Sequence, residues 1–97
     1  MGEDEVRKHV HEHAEAVERG DMETVIADFV PEMRSQVPQI AKALPNPVRT
    51  AEVLRVESKG EEGVAEIRYS GESQAVTIRS HWRESEGRPR IFAAEPV

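Results

Sequence analysis

The segment Pro45-Asn46-Pro47 divides the chain into two halves with different hydrophobic periods. Before it, apolar residues recur at steps of three and four. After it, they alternate. Two prolines flanking one residue forbid a helix from running through, since each ring removes an amide donor and restricts the residue before it. A single change of period near the middle of 97 residues predicts helices first and strands second. That order belongs to the α+β class, with helices packed on one face of an antiparallel sheet.

The helical half has three readable pieces. Val6, Val10, Ala14 and Val17 form one narrow apolar stripe on a helix over residues 3–19. Glu3, Asp4 and Glu5 crowd its first turn, where the helix dipole favours acids, and Gly20 suits the left-handed residue that ends it. Asp21 is placed to cap a second helix over 21–30, with Met22, Val25, Ile26, Phe29 and Met33 on its apolar side and Pro31 breaking it. Val37, Ile40, Ala41 and Leu44 predict a short third helix over 38–44, with Pro38 in its first turn.

The second half predicts four strands, over 50–58, 63–70, 75–84 and 88–94, joined by turns at 59–62, 71–74 and Glu86-Gly87. One face collects Leu54 and Val56, then Ala65, Ile67 and Tyr69, then Val76, Ile78, Ser80 and Trp82, then Ile91 and Ala93. Keeping these together sets a register with Val56 opposite Ala65, Ile67 opposite Ile78 and Trp82 opposite Ile91. The other face receives Val53, Arg55, Glu57, Val64, Glu66, Arg68, Thr77, Arg79, His81, Arg83, Arg90, Phe92 and Ala94. On it, Glu66 lies between Arg55 and Arg79, a favourable ladder, whereas Arg83 opposes Arg90 and calls for an external acid.

Composition narrows the function classes. There is no cysteine, which excludes disulfides, thiolate metal sites and cysteine nucleophiles. Residues 1–33 carry a net charge of −7 and residues 34–97 a net charge of +1, so a basic nucleic-acid footprint is not expected. No apolar run approaches the roughly 18 residues of a membrane span, and the charged start does not resemble a signal peptide. The expectation is one cytoplasmic domain over 1–97, without nucleic-acid or membrane partners.

Val10–Phe29 (VHEHAEAVERGDMETVIADF) and His81–Pro96 (HWRESEGRPRIFAAEP), in this order and spacing, resemble the nuclear transport factor 2-like superfamily and its SnoaL-like branch. The resemblance implies a cystatin-like curved sheet wrapped by helices into a cone. It further implies a small apolar ligand in the cone mouth and dimerisation through the outer sheet face. Residues 30–47 are shorter than the family's usual first strand and third helix, which implies a shallow cone.

Candidate site residues follow from both readings. His13 falls inside the arc of Val6, Val10 and Val17 and should face the sheet, where Tyr69, Ser80 and Trp82 would complete a ligand-binding wall. Family enzymes of the ketosteroid isomerase type place a polar group on the first helix, and His13 stands there. A histidine and a tyrosine in an apolar cavity suit acid–base chemistry, but such chemistry also needs a carboxylate. Only Glu52 and Glu95 are expected on the inner face, near strand ends, and a helical wheel turns Asp28 to solvent. No catalytic set is therefore assembled. His9 and His13 share a helix face without the HExxH pattern, so no metal is expected, nor any other cofactor. On the outer face, Arg55, Glu66, Arg68, Arg79, His81, Arg83, Arg90 and Phe92 form the expected interface, for a second copy or an acidic partner protein, because arginine is enriched and lysine depleted in interfaces.

Overall fold

A computed structural model describes residues 1–97. Helix α1 spans Glu3–Arg19 and α2 spans Met22–Ala27; a 3₁₀ segment, Pro31–Gln36, leads into α3 at Val37–Ala41. Strands β1 (Thr50–Lys59), β2 (Glu62–Ser70), β3 (Ala75–Ser85) and β4 (Arg88–Pro96) follow and pair in sequence order as an antiparallel meander. The helices cover one face of this sheet, giving the α+β architecture that the change of period predicts.

Local chemistry explains the helix ends. Gly20 closes α1 at φ 71°, and its amide donates back into the last turn. The Asp21 side chain accepts from the Thr24 amide at 3.2 Å and from the Thr24 hydroxyl at 2.7 Å, capping α2. Helix α2 stops at Ala27, three residues short of the expected end, because the edge of β4 captures the chain. Ile91 N–H donates to the Asp28 carbonyl at 2.7 Å, and Val30 N–H donates to the Ile91 carbonyl at 2.9 Å. Residues 28–30 thereby shield an edge strand that would otherwise present unpaired backbone groups. The third helix is shorter than expected, and the residues before it form the 3₁₀ segment, which begins at Pro31.

The register has Val56 opposite Ala65, Ile67 opposite Ile78, Trp82 opposite Ile91, and Arg83 opposite Arg90, as the pattern predicts. Two bulges change which residues face the helices. A shift between Val53 and Arg55 leaves Leu54 48% exposed and turns Val53 onto the core, the reverse of the alternation expected for this pair. A second shift, between His81 and Trp82 on β3, pairs His81 with Ala93 and Ser80 with Ala94. Ala94 therefore joins the inner face and Ala93 the outer face, again the reverse of expectation. Glu52 pairs with Arg68, and Glu95 pairs with Arg79 and bonds His81, so neither glutamate serves the inner face.

The core is one cluster that includes Trp82, which is fully buried, together with Val6, Val10, Ile67 and Ile91. Helix α1 lies close to β2 at Gly63, where a Cβ would stand 2.9 Å from Val6 Cγ1. A side chain there would lift the helix from the sheet. The β3–β4 turn has positive φ at both Glu86 (53°) and Gly87 (86°), as a type I′ hairpin requires. Glycine adopts this without cost. The Glu86 backbone is held instead through its carboxylate, which lies 3.0 Å from Arg34 and 3.5 Å from Arg90.

Candidate functional site

One end of the layer between helices and sheet contains charged groups. His13, 5% exposed, points from α1 toward the sheet as its place in the apolar arc predicts. Its Nδ1 lies 2.8 Å from Asp28 Oδ2, and Asp28 is itself only 4% exposed. The other carboxylate oxygen, Oδ1, accepts from the Arg88 guanidinium at 2.9 Å. Asp28 is thus an inner residue, contrary to the helical-wheel expectation. The wheel fails because Asp28 is no longer in the helix: it is the C-cap residue, and the backbone turns there to meet β4. No local signal links Asp28 to His13, 15 positions away, or to Arg88, 60 positions away.

Arginines gather where α2 ends. Arg88 and Arg90 both donate to the Ala27 carbonyl, and Arg34 donates to the Phe29 carbonyl at 3.2 Å. Cations at a helix C-terminus satisfy its free carbonyls and the negative end of its dipole. Arg90 is therefore folded inward over α2, away from the outer sheet face expected for it. Arg83, also expected to need an outside acid, meets Glu32 at 2.9 Å. Beside Arg88, the His9 Nδ1 stands 3.4 Å from a guanidinium nitrogen. Burial, and then the Arg88 charge, lower the His9 pKa below its ordinary value. His11 is exposed, and nowhere do three His, Asp or Glu side chains converge as metal ligands.

The His13 ring stands edge-on to Phe29 and Trp82, with centroids 6.2 and 5.8 Å apart. Asp28 fixes its tautomer: in the neutral ring Nδ1–H donates to the carboxylate, and Nε2 becomes an acceptor. Nε2 has no protein partner. Against this ring lies a cavity of about 50 Å³, lined by 13 residues of which 11 are hydrophobic. His13, Tyr69 and Ser80 contribute to the lining. Ser80 is already occupied, accepting from Trp82 Nε1 at 2.9 Å and facing the Ala65 carbonyl at 3.4 Å. Trp82 backs this wall without lining the cavity. The Tyr69 hydroxyl has no protein partner, and burial, reinforced by the Asp28 charge, raises its pKa, so the phenol remains a proton donor.

Val17, Ile40, Ala41 and Leu44 form the partly exposed rim. Val17, Val25, Ala41 and Leu44 are shared with an outer groove of about 650 Å³ between the end of α1 and residues 38–48. The inner chamber alone holds a few heavy atoms, since one water needs roughly 10–15 Å³ by the same measure.

The outer sheet face is largely self-neutralised. Glu66 lies 3.1 Å from Arg79 and 3.8 Å from Arg55, the ladder predicted from the register. His81 and Glu95 pair at 2.8 Å. Arg83 sits 5.3 Å above the Phe92 ring, and His81 lies against the same ring at 6.1 Å between centroids. Arg68 is exposed and makes no ion pair.

No protein-family model matches the chain, and no curated protein matches it. Solved structures do. An NTF-2 like protein of unknown function from Burkholderia xenovorans LB400 aligns with a TM-score of 0.68 at 16% identity, covering 98% of this chain and 83% of that one. A SEC-C motif containing protein from Rhodopseudomonas palustris aligns with a TM-score of 0.62 at 24% identity, covering 84% of this chain and 70% of that one. The chain has a nuclear transport factor 2-like fold. No helix is long and apolar enough to cross a membrane.

Proposed function

We propose that this chain is a small, non-catalytic, cytoplasmic binding module of the nuclear transport factor 2-like type, which holds a small, mainly apolar ligand in the cavity beneath His13. The observation that carries this reading is the cavity wall, in which 11 of 13 residues are hydrophobic and His13, Tyr69 and Ser80 supply the polar groups. Ligand sites combine mostly hydrophobic walls with a few placed polar groups. We also propose that two copies associate through the outer sheet face. Half-buried Val64, His81 and Phe92 lie in its middle, while its ladder of paired charges sets register more than affinity.

A second reading is supported by Asp28. The carboxylate missing from the sequence argument stands 2.8 Å behind His13, which would serve as general base while the Tyr69 hydroxyl polarises a carbonyl. An isomerase, dehydratase or cyclase of the SnoaL-like kind would use that arrangement. Titrating ¹⁵N-labelled protein with cyclohexanone in H₂O, with a parallel incubation of the ketone and protein in D₂O, separates the two. The module reading predicts shifts of cavity amides with no accelerated deuterium exchange at the ketone's α-carbon. Exchange that disappears in Tyr69→Phe would establish the catalytic reading instead.

A further inference from the structure

The cavity beneath His13 continues into a second space of different character, and this inference rests on the binding-module reading above. The chamber of about 50 Å³ is walled by 13 residues, 11 of them hydrophobic. The outer groove of about 650 Å³ shares Val17, Val25, Ala41 and Leu44 with it, but only six of its 14 lining residues are hydrophobic. One space therefore favours an apolar group alone, and the other, continuous with it, favours polar matter. A long hydrocarbon suits the first and is poorly served by the second. An apolar side chain carried on a polypeptide backbone suits both.

Size and charge narrow which polypeptide. A water needs roughly 10–15 Å³ by this measure, so the chamber admits about three to five heavy atoms. That is the branched side chain of leucine or isoleucine; an alanine methyl leaves most of it empty, and an indole exceeds it. Glu18 lines the groove, and exposed Glu15 and Glu23 stand within one helical turn of lining residues. Of the two cations on the wall, Arg19 and Lys42, the first is already paired with Asp21 at 3.4 Å. Glu18 spends one carboxylate oxygen on the Ala51 amide at 2.6 Å. Acid is thus in excess, and residues 1–33 as a whole carry a net charge of −7. Pro38, Pro45 and Pro47 line the other wall and offer no amide donor, so the bound segment is not held there as an added strand.

We infer that chamber and groove together dock a short basic segment of a partner protein, with one leucine or isoleucine side chain seated in the chamber and lysine or arginine residues flanking it along the α1 side of the groove. The buried anchor supplies most of the affinity, as at interface hot spots, and the carboxylates set orientation and the rate of encounter. Met22, 45% exposed in the groove, gives the segment an unbranched, adaptable apolar surface.

Short peptides that alternate lysine and serine around one central residue test this on the intact ¹⁵N-labelled protein. With leucine at the centre, groove and cavity amides should shift together. Alanine or tryptophan at the centre should weaken binding about tenfold. Replacing each lysine by glutamate should weaken it about fivefold at low salt, a difference that shrinks as salt is added. Met22→Lys should weaken the leucine peptide about fivefold while cyclohexanone still reaches the cavity. An alanine peptide equal to the leucine peptide, an acidic peptide equal to the basic one, or an indifferent Met22→Lys overturns the inference. So do groove amides that move with the protein's own concentration, which assign the groove to a second copy. If cyclohexanone shifts the cavity amides and no peptide does, the occupant is a small molecule: the inference falls and the binding-module reading stands. If neither shifts them, both fall.

Discussion

Two sets of paired charges, one on each face of the sheet, show how differently the same chemistry behaves when buried. On the inner side, His13, Asp28 and Arg88 are linked at 2.8 and 2.9 Å with almost no water at the carboxylate. On the outer side, Arg55 and Arg79 flank Glu66 at 3.8 and 3.1 Å, and both guanidinium groups are partly open to solvent. Desolvating the inner carboxylate costs several kcal/mol unless every lone pair is matched, whereas water and salt screen the outer charges. The inner set therefore fixes one geometry, with the His13 tautomer determined. The outer set contributes little stability and remains available to bias how another surface docks.

The sharpest way to break the comparison is to remove the acid from each set. Asp28→Ala should destabilise by about 3–5 kcal/mol, because it strands a buried histidine and a guanidinium. Glu66→Ala should cost about 1 kcal/mol or less. Urea denaturation with unchanged slope would read both, and equal losses would refute the contrast drawn here. The next test concerns association. Phe92→Glu should turn a dimer into a monomer in sedimentation velocity while leaving the unfolding temperature of the protomer nearly unchanged. A wild type that is monomeric at every concentration ends the dimer proposal.

The smallest effect lies at the margin of the inner set. His9 has a folded-state pKa below its ordinary value near 6.5, chiefly from burial. Above that pH the ring is neutral in both states and stability is at its full value. As pH falls, the unfolded chain takes up the proton first, so stability drops until the folded His9 is protonated as well. His9→Gln should flatten this part of the acid limb, measured as denaturation midpoint against pH from 7 to 5. An unchanged slope would show that His9 does not contribute.

Most of the fold can be read from the chain because periodicity and turn chemistry are local. The alternation of Ile67, Ile78 and Trp82 with charged residues leaves one consistent register, and Gly20 and Asp21 mark the helix boundary between them. The errors occur where one residue breaks the period. Leu54 and Phe92 are the unpaired residues of the two bulges, and a bulge reverses inside and outside for the residues beyond it. A strict period-two reading therefore misplaces Val53, Leu54, Ala93 and Ala94. Nothing in the adjacent residues announces either bulge.

His13 was legible because α1 is long and regular, so its wheel is dependable. Asp28 was not, because α2 is only six residues long and its end is set by β4. The sequence by itself determined the two-part architecture, the strand register and the inward direction of His13. Each follows from hydrophobic spacing within one element. The tertiary structure alone decided that a carboxylate stands beside that histidine, that an arginine stands behind the carboxylate, and how large a cavity the ring helps to line. Those depend on contacts across 15 to 60 residues, where packing rather than periodicity brings the groups together.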